Sequence, residues 1–234
     1  MYRGELKTLE EVQELWGTTQ NTVVVPTLEL VHVKNVPISL LVAASMRSGS
    51  IHSVYEKDTL NMGRYISPTN LNKALITFGD VRATTPKQIK IKFNKLLKYN
   101  SREFIYVASK EDEYTRYTYD MYYQRGGYTT INLNVAHYLL EHYSDSHIQA
   151  YIILKCLTCR GFAQVTHKYL AIKMGLTEHS RRKVSTILED LVTDGLVEKV
   201  QDVGYKYIEQ NDGAIRTVVT EINKYRVVEG KYLK

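Results

Sequence analysis

His179, Ser180, Arg181, Arg182, Lys183 and Thr186 fall within one short stretch of this 234-residue chain. Together they offer an imidazole, two hydroxyls, two guanidinium forks and an ammonium, the donor types that meet phosphate oxygens and base edges. Three consecutive cations at the start of a helix sit poorly with its dipole. An anionic partner at that end explains them better than a solvated surface does.

The flanking residues supply the elements that would position this set. Val184, Ile187, Leu188 and Leu191 recur at i, i+3, i+4 and i+7, one apolar helical face opposite His179, Arg182, Lys183 and Thr186, with Arg181 on the flank. A shorter helix is expected upstream over His167–Met174, with Tyr169, Leu170 and Met174 facing inward. Gly175 stands where a left-handed residue closes a helix, and Leu176 follows to pack back. Thr177 is placed to cap the longer helix, with Glu178 at its positive end. Asp194-Gly195 ends it, and Leu196–Val200 begins a strand. Helix, tight turn, helix and strand over Gln164–Val200 read as a winged helix-turn-helix, which holds a helix by its back and leaves its N-terminal donors exposed.

Upstream of this unit lie an extended segment, Tyr128–Val135, and a buried helix, His147–Arg160, starting at Asp145/Ser146 and ending near Gly161. The first half repeats the order: extended Thr22–Leu30, Pro37 opening a helix over Ile38–Arg47, and the breaker Ser48-Gly49-Ser50. Pro68–Ile76 then parallels His167–Met174, with Gly79 at the matching turn. Thr85, Pro86 and Gln88 form a capping-box start for a helix with Ile89, Phe93, Leu96 and Leu97 on its apolar face, and Phe104–Val107 reads as a strand after it. The expected fold is α+β, two tandem winged helix-turn-helix domains over 1–125 and 128–234, with an insertion at about 51–67 in the first.

The two expected reading helices differ. Lys87, Lys90, Lys92, Lys95 and Lys98 crowd the first, and no acidic residue lies between Ala83 and Asn100. Lysine is a point charge without the fork that grips guanine, so Lys87, Lys90, Lys92 and Lys95, with Arg181 in the second unit, are assigned to phosphates. His179, Ser180, Arg182, Lys183 and Thr186 are assigned to base reading. The formal charge is +6; residues 1–125 hold 17 Lys+Arg against 13 Asp+Glu and the remainder 14 against 12. That fits local basic patches on folded modules better than a polycationic arm.

Other segments yield less. Six of the 19 tyrosines fall between Tyr114 and Tyr128, read as amphipathic residues of a second wing strand leading to a hinge at Gly126-Gly127. A stacking platform for single strands is the sharper alternative. Cys156 and Cys159 form a lone CxxC without the further ligands that zinc requires, so two reduced core cysteines are expected and no metal. The sequence has no phosphate-binding glycine loop, nucleophile elbow or HExxH, so neither catalysis nor a cofactor is expected. No apolar run approaches the ~20 residues of a membrane span, and the N-terminus lacks a signal-peptide core, so the expectation is a soluble, cytoplasmic protein. Ile215–Val228 is β-prone, either a return wing strand or an edge pairing two chains.

The run YLAIKMGLTEHSRRKVSTILEDLVTDGLVEKV, with its lead-in helix, resembles the winged-helix domains of replication initiators and replisome organisers of plasmids and phages of Gram-positive bacteria. It is also similar to winged-helix transcription regulators. The likeness is specific over 129–200 and architectural over 22–125. It implies a non-enzymatic, sequence-specific double-stranded DNA-binding protein, with the second helix of each unit in a major groove. A repressor on the same fold is the neighbouring alternative, and a module docking on host replication or transcription proteins the more distant one. A homodimer is compatible with each.

Overall fold

The computed structural model describes residues 5–26, 37–38, 40, 51–56, 59–66, 68–100, 105–108, 116–120, 128–210 and 213–229. They form a mixed α+β protein. The first half runs α1 (Leu9–Trp16), β1 (Thr22–Pro26), β2 (Ile51–Glu56), β3 (Thr59–Ile66), α2 (Pro68–Val81), α3 (Pro86–Asn100), β4 (Ile105–Ala108) and β5 (Arg116–Asp120). The second runs β6 (Tyr128–Asn132), α4 (Leu133–His142), α5 (Asp145–Leu157), β7 (Ala163–Gln164), α6 (His167–Lys173), α7 (Arg181–Thr193), β8 (Val197–Glu209) and β9 (Ile215–Val227).

Three antiparallel sheets follow: β1-β6, β2-β3-β5-β4 and β7-β9-β8. The last two share a plan. The strand just before a helix pair (β3, β7) pairs with the last strand of its unit (β5, β9), which also pairs with the strand after the helices (β4, β8). The expected insertion is the β2-β3 hairpin, and its second strand takes the place that β7 has in the other half.

Several expectations on boundaries need correction. The segment expected to stay extended through Val135 turns into α4 at Leu133, a helix with eight buried residues from Leu133 to Leu140. Burial on every side removes the polar stripe that would have marked it. The helix expected over Pro68–Ile76 continues to Val81, so Gly79 lies inside it and the turn comes at Arg82–Thr85. A Cβ at Gly79 would sit 2.8 Å from Ile89 Cδ1, so the glycine allows close helix crossing rather than making the turn. Tyr169, expected to face inward, is 41% exposed, and Leu170 and Ala171 carry the buried face of α6. Cys156 packs against the core but Cys159 is exposed in the turn after α5, so the cysteines are not both core residues; they form no disulfide.

Other expectations hold. Thr85 Oγ1 accepts from Gln88 N–H and Gln88 Oε1 accepts from Thr85 N–H, both at 3.4 Å, completing the capping box of α3. Pro37, Ile38 and Leu40 are helical, and Ile38 and Leu40 are buried. The rest of the expected helix to Arg47, Thr27–Leu30, Ser48-Gly49-Ser50, Phe104 and the Gly126-Gly127 hinge lie outside the described residues.

The two extended lead-ins, read as one per unit, pair with each other from Thr22↔Asn132 to Pro26↔Tyr128. Further contacts join the halves around this pair. Trp16 Nε1–H donates to His137 Nδ1 at 3.2 Å, and Lys7 reaches Glu141 at 2.9 Å. Arg82 donates to the carbonyls of Leu140 and Tyr143, covering the open C-terminal end of α4, and forms an ion pair with Asp145. His137 is 2% exposed. Burial first, then the Lys7 charge, pushes its pKa down to about 4, against the opposing pull of Glu141. Its Nε2 lies 3.5 Å from Glu141 Oε2 without forming a hydrogen bond. Among the described residues, no helix is long and apolar enough to cross a membrane.

Candidate nucleic-acid interface

α7 is seated by Val184, Ile187, Leu188 and Leu191, all buried. α6 crosses it through Leu170 and Ala171. Between them the chain turns at Gly175, whose φ of +68° closes α6: Gly175 N–H donates to Ile172 O and Leu176 N–H to Ala171 O, each at 2.9 Å. The turn then differs from expectation. Thr177 does not cap α7, because residues 178–180 form a separate turn and the helix begins at Arg181 after Ser180. Thr177 Oγ1 and Ser180 Oγ instead lie 3.2 Å apart. His179 and Ser180, expected on the helix, therefore belong to the turn ahead of it.

The helix rotation sorts the remaining candidates. At about 100° per residue, Arg182, Thr186, Glu189 and Thr193 point away from the core, while Arg181 and Lys183 flank them on opposite sides. His179, Arg181, Arg182, Lys183 and Thr186 are all exposed. Thr186 Oγ1 donates to Arg182 O at 3.2 Å, which leaves its oxygen lone pairs for a partner donor.

Positive charge is confined to one end. Glu178 is engaged at 2.6 Å by Lys168 from α6, and that hydrogen bond is the main reason its carboxyl is held below the usual range. The acidic residues lie at the C-terminal end of α7, where Asp190 and the capping Asp194 are tied inward and Glu189 stays on the exposed face. Asp190 meets His147 Nε2 at 2.9 Å, Asp194 accepts from the Tyr143 hydroxyl, and Glu189 accepts from Ser185. His147 is in turn held by Ser144 at 2.7 Å. One end of α7 is thus anchored to α5, and the other is open and cationic.

β8 and β9 leave the body as a ribbon of 13 residues per strand, and β8 begins where the sequence places the start of a strand, at Leu196–Val200. At about 3.3 Å per residue it is roughly 40 Å long. Of the two readings of Ile215–Val228, the structure has the return strand, paired from Val197↔Val227 to Glu209↔Ile215. An open groove of about 640 Å³ lies between the ribbon and the start of α6, lined by His167, Lys168, Arg181, Tyr205 and Lys206 among others. Lys168 and Lys206 went unassigned in the sequence. Their signal was a cation on each of the two elements flanking Arg181.

The lysines of α3 do not share one face. Lys90 and Lys92 project about 160° apart. Lys87, Lys90 and Lys95 are exposed, whereas Lys92 is partly covered and lies 3.9 Å from Asp145, beside Arg82. The helix that lacks acidic neighbours in sequence thus finds one across the fold. The side chain of Lys98 lies outside the described residues. Lys90 also lines a groove of about 320 Å³ between α2 and α3, whose walls include Leu71, Leu75, Ile76, Ile89 and Phe93. No group of three or more metal-ligating side chains occurs among the described residues.

Comparison of the chain with models of known protein families, with curated proteins and with solved structures found no match.

Proposed function

We propose that residues 145–227 form a winged helix-turn-helix that binds double-stranded DNA, with α7 as its reading helix and the β8-β9 ribbon as its wing. The observation that carries this reading is the exposed cationic N-terminal end of α7, whose neighbouring carboxylate, Glu178, is engaged by Lys168, while the helix back is fully buried. The order helix, short strand, helix, helix, strand, strand, with the short strand paired to the last, supports the same reading. Arg182 and Thr186 are the central base-reading side chains, and His179, Ser180 and Lys183 lie around them. Arg181 is at the groove edge, suited to a phosphate.

The shared plan of β3-α2-α3-β4-β5 supports a second, degenerate winged unit, whose exposed Lys87, Lys90 and Lys95 hold phosphates rather than read bases. The chain acts without catalysis in this reading, as an origin-binding replication initiator of the plasmid and phage type. A repressor would need the same surface. Selection of duplexes from a random pool, followed by a salt titration, tests the proposal. One enriched sequence, bound with a log–log salt slope of several units, is the expected result. Absence of duplex binding at low salt would turn the assignment to protein docking, for which the apolar groove between α2 and α3 is the available surface.

A further inference from the structure

The core face of the β8-β9 sheet does not stop where the core stops. Val197 and Tyr225, each 1% exposed, lie on the face packed against the helices. Strict alternation carries that face outward along the ribbon to Val203, Tyr205, Tyr207, Val219 and Ile215, which are 58–71% exposed. A two-stranded ribbon with an uncovered apolar stripe is marginally stable alone.

The ribbon also has an open edge. Gln210 N–H donates to Ala214 O and Val228 N–H to Leu196 O, both in register with the strands. Even-numbered residues of β8 therefore bond to β9, and odd-numbered ones turn their N–H and C=O outward. Val203 agrees: its N–H is taken at 2.8 Å by the adjacent Asp202 carboxylate rather than by a strand. β8 pairs with β9 without a bulge from Val197 to Glu209, contains no proline, and pairs with no second strand among the described residues.

We propose that this edge pairs with the same edge of a second copy of the chain, antiparallel, about a two-fold axis at Gly204. Charge complementarity selects both the partner and the register. With the axis at Gly204, Asp202 faces Lys206 of the second copy and Lys199 faces Glu209, each pair occurring twice. Val200 faces Ile208, both over 40% exposed in the single chain, and Val203 faces Tyr205, joining the two apolar stripes across the axis. The outward N–H and C=O groups of the odd residues meet each other, and the even pairs fall at the closer, non-hydrogen-bonded positions. Val203 N–H passes to the carbonyl of Tyr205 in the second copy, and Asp202 Oδ1 is released toward Lys206 while its Oδ2 keeps the 2.6 Å contact with Lys224 of its own chain. Moving the axis to 202 or 206 sets Asp202 against Asp202 or Lys206 against Lys206. Moving it to 203 or 205 leaves no opposite-charge pair at these positions.

Sedimentation of the full chain without DNA tests this surface separately from DNA reading. A dimer is expected. Lys206→Glu, which sets like charges opposite each other twice, should raise the dimer dissociation constant at least about tenfold. The exchange Asp202→Lys with Lys206→Glu, made together with Lys224→Gln because Lys224 holds Asp202 at 2.6 Å within each chain, should restore pairing. Gly204→Cys, in a chain with Cys156→Ser and Cys159→Ser, should oxidise to a disulfide-linked dimer, because the two residues would face each other at a non-hydrogen-bonded position. Glu198→Cys, which faces Gln210, should not. A chain monomeric at every concentration overturns the proposal. So does a dimer that is indifferent to Lys206→Glu, or a folded Gly204→Cys variant that forms no disulfide between its two copies. If Gly204→Cys fails to fold, the charge reversal and its exchange, made in the otherwise unaltered chain, decide alone.

Discussion

α3 and α7 occupy the same place in units of the same plan, yet they distribute charge in opposite ways. α7 gathers arginine and lysine at its first turn, and Asp190 and Asp194 at its far end are tied inward by His147 and Tyr143. α3 spreads its lysines over the whole arc outside its buried Ile89–Phe93 face, and Lys92 finds a carboxylate, Asp145, in the other half of the chain. A helix seated on an apolar face can thus present either a directed, fork-shaped donor set or a diffuse positive field. The first suits discrimination between bases and the second suits retention on any duplex. The plan of strands and helices leaves that choice open, and side-chain placement makes it.

The largest expected effect tests whether α7 depends on its seat. Leu188→Ala should cost about 2–5 kcal/mol of stability, measured by denaturant unfolding. An unchanged midpoint would mean that α7 is held by its polar ties instead. Next in size is the contact by which α1 grips the second half. His137 is neutral in the fold down to about pH 4, whereas in the unfolded chain it protonates near its ordinary 6.5. The unfolded state binds the extra proton between those values. The stability is therefore intact above pH 6.5 and falls as the pH drops toward 4, by on the order of 3 kcal/mol. His137→Gln should flatten that part of the pH–stability curve; an equally steep curve in the variant would assign the loss to other groups.

Smaller effects separate the two helices directly. Arg182→Ala should weaken the selected duplex by about 1–3 kcal/mol and relax preference at one base pair, read by repeating the selection with the variant. Lys90→Ala or Lys95→Ala should weaken selected and random duplexes alike and lower the salt slope by about one unit. Lys92→Ala should change that slope less, because its ammonium already faces Asp145. Should Lys90→Ala erase sequence preference while Arg182→Ala preserves it, the roles of α3 and α7 are exchanged.

What was legible in the sequence was local. The spacing of Val184, Ile187, Leu188 and Leu191 announced the buried face of α7, and Thr85 with Gln88 announced the start of α3. The box formed by Thr8 and Glu11 at the start of α1 is an equally local signal. α4 is not legible in this way, because a helix buried on all sides has no polar stripe to set its period. The start and the return of the ribbon are legible, but its outer part has no covered face to mark its length, although Val203, Tyr205 and Tyr207 alternate with smaller or polar residues and Asn211-Asp212-Gly213 is a turn-type sequence. The reach of Lys92 to Asp145 and the pairing of β1 with β6 link residues far apart in the chain, and no local signal encodes either.

The pairing of β1 with β6 also sets a schedule for synthesis. Val12, Trp16 and Val23 are buried against elements that include α4, and Trp16 finds His137 across a separation of 121 residues. At translation speeds of about 5–20 residues per second, those side chains wait on the order of ten seconds for their partners to leave the ribosome. During that interval the strand Thr22–Pro26 lacks the strand it pairs with, and α1 lacks the part of its floor that α4 supplies. A chain released near residue 125 would keep both exposed permanently, so such a fragment should aggregate or be degraded rather than persist as a smaller folded protein.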